Sequence, residues 1–422
     1  MASTNHAAGT SQQVRLRNRA NILIALQRRH ELSKSQLARQ LYISPATVGS
    51  IVADLMDEGL IRSVGAGPST GGRPAERLIL NGDGQVAVGV DLGGTSAQIG
   101  VLSLAGDLLA HWRIPFQFQQ QEVQLEPLLA GVAQALDAFS GRPILGIGVA
   151  VPGLLDLDGG TVRYAANLSW RDVPIRELFA RAFDLPIVMN RNTNAALLGD
   201  DWWSDMATAD PSIFVTLGSG IGAALRIDGR FVQGAASMAG ELGHIPIDPD
   251  GPLCNCGQRG CLEALASGRA VQARYNQLRR TGQTPATQPR HDDPIKVTAE
   301  ADTPDDVTLA EVLKRAAAGE RLAVEVLAEA AHVLGVGFTI LTNLLNPAVI
   351  VLGGELMDAG DLLLRPIVRH IQAHALPDAA SAVTVAASSL RGEASVIGAA
   401  TLVFNDLFQG AIPVGKGVTR KD

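Results

Sequence analysis

The sequence predicts an α/β protein in two parts, a winged helix–turn–helix at the N-terminus followed by a duplicated, two-lobed α/β body. Three observations carry this. Residues 13–82 hold three short amphipathic segments, then two apolar runs around a glycine-rich loop. Beyond them, a pattern of strand, hairpin and helix begins near Gln85 and restarts near Ile213. Charge divides at the same place: residues 1–80 carry ten Lys/Arg against five Asp/Glu, or +5, so the remainder must carry −12 to reach the net −7. A basic module on an acidic body fits nucleic-acid contact by the first part only, although an ordinary basic surface has the same charge.

Residues 1–12 are small and polar and are expected to form a disordered tail. From Val14 to Arg29, the residues Leu16, Ala20, Leu23, Ile24 and Leu26 give an imperfect helical stripe. Ser33 is placed to cap a second helix, Lys34 to Leu41. Ser44 is placed to cap a third, with Pro45 at its first position, where the absent N–H costs little. Val48, Ile51, Val52, Leu55 and Met56 line one face of that third helix, and Gly59 ends it. Residues 60–64 and 76–80 read as the two strands of a wing.

In the body, Gln85 to Val90 and Ala97 to Leu102 alternate as a hairpin; a helix over 121–139 and a buried strand, Ile144 to Val149, follow. The second half starts with a strand at 213–217. It ends with helix 321–345, strand 349–352, helix 361–375, strand 382–386 and helix 395–408. The expected boundaries are 83–200 for the first lobe, completed by the C-terminal helix 395–408, and 201–394 for the second, with 280–307 as a surface excursion. No run of about 18 uninterrupted apolar residues is present, so no membrane span is expected. The first residues lack the basic and apolar regions of a secretory signal, and the expected location is the cytoplasm.

The helix–turn–helix reading puts Ser44, Pro45, Ala46, Thr47, Gly49 and Ser50 at the exposed start of the recognition helix, facing base edges. Lys34, Ser35 and Gln36 open the preceding helix, whose N-terminus can hold a backbone phosphate. Arg73, in Gly71-Gly72-Arg73-Pro74, lies in the wing and can enter a minor groove. With one short reading surface per chain, operator DNA would be bound by a homodimer, or a dimer of dimers, on an inverted repeat. The competing reading of residues 13–82 is a small helical interaction domain with an apolar hairpin.

Three glycine turns sit at matching points of the two halves: Asp91-Leu92-Gly93-Gly94-Thr95, Gly218-Ser219-Gly220-Ile221-Gly222, and Gly353-Gly354. Each alone means only a tight turn. Together they resemble loops whose N–H groups approach phosphates closely, with Asp91 able to hold a hydrated magnesium, so ATP with Mg²⁺ is a candidate ligand. All three cysteines fall in one stretch, Cys254, Cys256 and Cys261, and His244 lies ten residues before the first. One His and three Cys suit a closed, structural zinc site, because four protein ligands leave no open position. A disulfide is the alternative and leaves one cysteine over. Glu241 and Glu263 flank this cluster.

At these residues the chain resembles the ROK family of repressors and sugar kinases, over about residues 13–408. Its most specific match is Ala239-Gly240-Glu241-Leu242-Gly243-His244 with the cysteine cluster. The resemblance implies an actin/hexokinase-like two-lobed fold and, in the repressor branch, a winged helix–turn–helix before it. It also implies a sugar pocket contacted by Glu241, His244 and Glu263, with Asn167 of Asn167-Leu168-Ser169-Trp170 nearby, and nucleotide in the three glycine turns.

The departures matter as much. Family kinases read Glu-Asn-Asp-x-Asn where this chain has Asn190-Arg191-Asn192-Thr193-Asn194. The kinase aspartate takes the proton of the attacking hydroxyl; an amide at Asn192 is essentially non-basic near neutral pH. Loss of general-base help is worth about 10²–10⁴ in rate, so no catalytic residue is expected. Arg191 replaces a sugar-contacting asparagine and either favours an anionic ligand, such as a sugar phosphate or sugar acid, or points to solvent. The expected function is a transcriptional regulator, a repressor of carbohydrate-metabolism genes. Its sugar-type effector would bind among Asn167, Arg191, Asn192, Glu241, His244 and Glu263. An active ATP-dependent sugar kinase with a DNA-binding head is the alternative. A zinc-stabilised scaffold is a third reading, which leaves the pocket carboxylates and the wing unexplained.

Overall fold

The computed structural model describes residues 11–66, 75–94, 96–115, 125–165, 168–204, 209–283 and 306–412. The expected tail (except 11–12), Arg73, Thr95, Asn167 and most of the 280–307 excursion lie outside the described residues.

The head is built from α1 (Ser11–Arg29), β1 (Leu32–Ser33), α2 (Lys34–Leu41), α3 (Pro45–Asp57), β2 (Ile61–Ala66) and β3 (Glu76–Leu80), with sheet order β1-β3-β2. Both predicted caps form. Ser33 accepts from the Gln36 amide while Gln36 accepts from the Ser33 amide, a reciprocal capping box; Ser44 accepts from Thr47 N at 3.1 Å. Strand β1 was not expected, because two residues are too short to carry a period.

The first half of the body continues with β4 (Val86–Leu92), β5 (Ser96–Ser103), β6 (Leu108–Pro115), α4 (Glu126–Ala138) and β7 (Ile144–Val151). It ends with the small strands β8 (Leu154–Asp156), β9 (Thr161–Ala165) and β10 (Trp170–Val173), then α5 (Ile175–Ala182), β11 (Ile187–Arg191) and α6 (Asn192–Trp203). The second half has β12 (Ser212–Leu217), β13 (Ile221–Ile227), β14 (Arg230–Phe231), α7 (Leu262–Ala266), α8 (Gly268–Thr281), α9 (Leu309–Ala317) and α10 (Arg321–Leu345). It closes with β15 (Val349–Gly353), α11 (Asp361–His374), α12 (Pro377–Ala382), β16 (Thr384–Ala387) and α13 (Ala394–Phe408). The two large sheets run β11-β7-β4-β5-β6 and β16-β15-β12-β13-β14. Position by position these are one order, an antiparallel meander joined to two parallel strands, so the chain is duplicated.

Several expected boundaries move. The helix expected over 121–139 is described from Glu126. The last strand starts at Thr384 because residues 377–382 turn helical after Pro377, a favoured first helical residue. Strand β6 and the small sheet β10-β9-β8 were not expected; an edge strand and a short three-stranded patch bury too little to show a clear alternation.

Helices α6 and α13 hold corresponding places in the two halves and cross at close range between the sheets. At Gly398 an added Cβ would stand 1.7 Å from the Ala195 carbonyl oxygen, and at Gly148 it would stand 1.7 Å from that of Ala399, so glycine lets α13 touch both α6 and the first sheet. The second lobe packs around α10, with Val326, Leu334 and Phe338 against Ile350 and Leu352. Helix α10 is long and apolar enough to cross a membrane by length and composition, but most of its apolar face is consumed by this core. The head joins the body through a shared core: Ile22, Leu23 and Leu26 of α1 pack with Phe404 and Phe408 of α13 and with Trp202 of α6. The buried Gln27 donates to the Trp202 carbonyl at the end of α6.

Candidate functional site

The candidate site lies where loops of the two halves meet. Strand β11 delivers Arg191, and α6 starts immediately after it with Asn192. Asn192 Oδ1 accepts from the Thr193 amide at 2.8 Å, and the preceding Asn190 Oδ1 accepts from Arg191 N and Asn194 Nδ2. These contacts fold the asparagines onto the helix start, where free N–H groups need acceptors. Arg191 does not point to solvent, one of the two alternatives its sequence position leaves open. It is 8% exposed and donates to the carbonyls of Ser237 (3.1 Å), Ala239 (3.0 Å) and Ala223 (3.4 Å). Its Nη1 also lies 3.3 Å from Glu241 Oε1.

Glu241 stands at the head of a short 3-10 turn, Leu242–His244. The glycine before it has φ +90°, and an added Cβ would stand 2.0 Å from the Ala223 carbonyl oxygen; no other residue lets this loop lie on β13. The second Glu241 oxygen is 3.8 Å from His244 Nε2. Glu263 is half-buried: Oε2 accepts from the Ile221 amide at 2.9 Å, which ties α7 to the glycine turn at 218–222, while Oε1 lies 4.0 Å from Arg269 Nη2.

The other ring nitrogen of His244 faces the cysteines. Nδ1 is 3.7 Å from Cys254 Sγ, Cys256 and Cys261 sulfurs are 3.6 Å apart, and the four ligand atoms all lie within 4.8 Å of one another. Zn–S bonds of about 2.3 Å in a tetrahedron give edges of about 3.8 Å, so the donor set and its spacing fit a zinc ion. All three cysteines are free thiols. Burial and the neighbouring thiols push Cys261 up to about 12 and raise Cys254 as well, so the thiolates are disfavoured unless a cation sits among them. The loop is held by Gly260, at φ +63°, where a Cβ would stand 1.4 Å from the Asp248 carbonyl oxygen.

The glycine turns converge. A Cβ on Gly94 would lie 3.3 Å from Ser219 Oγ, and one on Gly354 would lie 2.5 Å from the Leu217 carbonyl oxygen, so all three turns face one region. The Gly218 amide donates to the Gly220 carbonyl, Gly222 packs against Thr193, and Gly353 against the Phe214 ring. Asp91 is buried and accepts from Ser395 Oγ at 2.7 Å, at the start of α13. Burial raises its carboxyl to about 6, with Ser395 and Arg113 opposing.

On the head, Lys34, Ser35, Gln36, Ser44, Pro45, Ala46 and Ser50 are exposed, and Thr47 and Gly49 are half-buried. Lys34 pairs with Glu76 at 3.1 Å, Ser35 Oγ is 3.0 Å from Ser33 Oγ, and Gln36 is occupied in the capping box. Helix α3 carries no Lys or Arg; Arg15 of α1 reaches it instead, donating to Ser50 Oγ and pairing with Asp54. Sequence reasoning missed Tyr42. It follows α2 in a left-handed conformation (φ 55°, ψ 38°) and is 96% exposed. The available signal was an aromatic residue in a turn one residue before the Ile43-Ser44 entry to the recognition helix, where the core has no use for it.

Comparisons with known proteins bear on the head and the body together. A winged helix-turn-helix DNA-binding pattern matches residues 15–62, over α1 to β2. The chain is 30% identical over 393 residues to the putative xylose repressor of Caldicellulosiruptor sp. (strain Rt8B.4), covering 92% of this chain and 96% of that one. It is 33% identical over 323 residues to the glucokinase of Halalkalibacterium halodurans, covering 75% of this chain and 94% of that one. A crystal structure of a ROK family transcriptional regulator, a homolog of the E. coli MLC protein, superposes with a TM-score of 0.76 at 26% identity, covering 94% of this chain and 98% of that one. The ROK pattern itself matches residues 87–406, from β4 into α13: the chain belongs to the ROK family.

Proposed function

We infer that this chain is a sugar-responsive transcriptional repressor of the ROK type. The observation that carries this is a winged head sharing one core with a kinase-like body whose general-base position holds Asn192. The putative xylose repressor and the ROK family transcriptional regulator are matched over head and body together, whereas the glucokinase match spans 75% of the chain.

In this reading α3 enters the major groove, with Ser44, Pro45, Ala46, Thr47, Gly49 and Ser50 at base edges, while Lys34, Ser35 and Gln36 meet a backbone phosphate. Tyr42 joins that surface. A left-handed tyrosine costs about 1–2 kcal/mol and its ring buries almost nothing in the fold, so a DNA contact is the gain that explains it. Arg73 serves the wing. The effector binds in the cleft among Asn167, Arg191, Asn192, Glu241, His244 and Glu263, and a structural zinc on His244, Cys254, Cys256 and Cys261 holds the Glu241 and Glu263 loops. When bound, zinc supplies the positive charge that the crowded thiols need. The working form is a cytoplasmic homodimer on an inverted repeat.

Coupling runs along α6. From Asn192 at its start to Trp202 against the head it spans about 15 Å at about 1.5 Å per residue. A ligand that favours one lobe arrangement thereby shifts the head, and the difference in its affinity for the two arrangements sets the response.

Selection of duplexes from a random pool by the full-length protein tests this. An enriched inverted repeat is expected; a pool that stays random refutes the repressor reading. The glycine turns, including Asp91, Gly93, Gly94 and Thr95, Gly218, Gly220 and Gly222, and Gly353 and Gly354, support a second reading, an ATP-dependent sugar kinase. Turnover near typical enzyme values, about 1–10³ per second with ATP, Mg²⁺ and hexoses, would establish it.

A further inference from the structure

Arg191 departs from the kinase pattern and also ties the lobes together. It leaves β11 in the first half, yet its guanidinium contacts are to the second: the carbonyls of Ala223, Ser237 and Ala239, and the carboxylate of Glu241. A sugar held in a cleft bridges two lobes with hydroxyls that meet a carboxylate and backbone groups. Here a guanidinium does the same from within the chain. Glu241 is thereby divided, one oxygen toward Arg191 at 3.3 Å and the other toward His244 at 3.8 Å.

We propose that Arg191 is a built-in occupant of the effector pocket, a latch that closes the cleft without ligand and selects for anionic sugars. The proposal rests on the reading of this cleft as the effector site. A neutral sugar that takes Glu241 leaves a nearly buried guanidinium with carbonyls only, and nothing in such a ligand restores the charge balance. A sugar bearing a phosphate or carboxylate does restore it. Its hydroxyls meet Glu241, and its anion accepts the two parallel N–H bonds that a guanidinium offers. Arg191 is then a specificity-determining residue, and release of the latch is the conformational step that ligand binding drives.

Hydrogen–deuterium exchange on the ligand-free, full-length protein tests the latch. Arg191→Asn should speed exchange of amides in the 237–241 loop by at least about tenfold, the effect of losing hydrogen bonds to a charged group. Glu241→Gln, which keeps the shape and removes the charge, should move the same amides less. Unchanged exchange in both variants overturns the latch. Calorimetry with glucose and glucose 6-phosphate as probes tests selectivity. The unaltered protein should bind the phosphate at least about tenfold more tightly, an amount within the range of one charge-assisted contact, and Arg191→Asn should reverse the preference. Equal or tighter binding of glucose by the unaltered protein overturns the selectivity claim. If neither probe binds either protein, the effector reading of the cleft fails and the selectivity claim falls with it, while the exchange result still judges the latch.

Discussion

Replacing Phe408 by alanine should uncouple the head from the body. The ring is 1% exposed at the last turn of α13 and packs on Trp202, with ring centroids 5.2 Å apart and planes at 37°. It shares a core with Ile22, Leu23 and Leu26 of α1, each fully buried. Truncating a buried phenylalanine removes its transfer free energy and leaves a cavity, together about 3–5 kcal/mol. The neighbouring Gln27 bond to the Trp202 carbonyl, worth about 1 kcal/mol net, cannot replace this. Urea unfolding followed by tryptophan fluorescence reads the loss, with Trp202 as a reporter in the affected core. Gln27→Ala alone should cost about 1–3 kcal/mol, because it strands a carbonyl at a helix end. The double variant should depart from additivity by at least about 0.5 kcal/mol, since both residues act on Trp202. A loss below about 1 kcal/mol for Phe408→Ala would mean that head and body do not share a core, and the coupling route along α6 would fall with it.

Asp91 predicts a pH dependence. Its carboxyl is raised to about 6 by burial, so between about pH 4, where a free aspartate ionises, and pH 6 the folded chain holds a proton that the unfolded chain has released. Stability therefore falls as pH rises through that window, by roughly 3 kcal/mol, and is flat in this respect above it. Asp91→Asn, which keeps an acceptor for Ser395, should remove the fall; urea midpoints of both proteins at pH 4.5 and 7.5, if they differ by the same amount, disprove this. Elemental analysis of protein purified without chelator should find one zinc per chain, and Cys261→Ser should lower that content; a metal-free native protein contradicts the site. Tyr42→Gly should raise stability by about 1 kcal/mol by relieving the left-handed residue while weakening operator binding about fivefold. Unchanged operator affinity removes Tyr42 from the DNA surface, and weakened stability refutes the strain argument.

Much of this protein was legible where the governing physics is local. The Ser33 and Ser44 caps, the span of α2, and the 321–345 helix follow from hydrogen bonds and apolar spacing within a few residues. The spacing of His244, Cys254, Cys256 and Cys261 likewise announced a four-ligand cluster, because a short loop can bring such neighbours together. The repeat of strand, hairpin and helix was visible, and the identical strand orders express it in space. Short and edge elements such as β1 and β6 were not legible, since pairing partners rather than their own sequence make them strands. The same holds for the parts that bear most on function. Arg191 finds its partners 32 to 50 residues away, and Gln27 meets Trp202 across 175 residues. Whether a charged side chain faces solvent or bridges two lobes depends on which distant carbonyls the fold brings within reach. No periodicity records that choice, and only the packed structure made it.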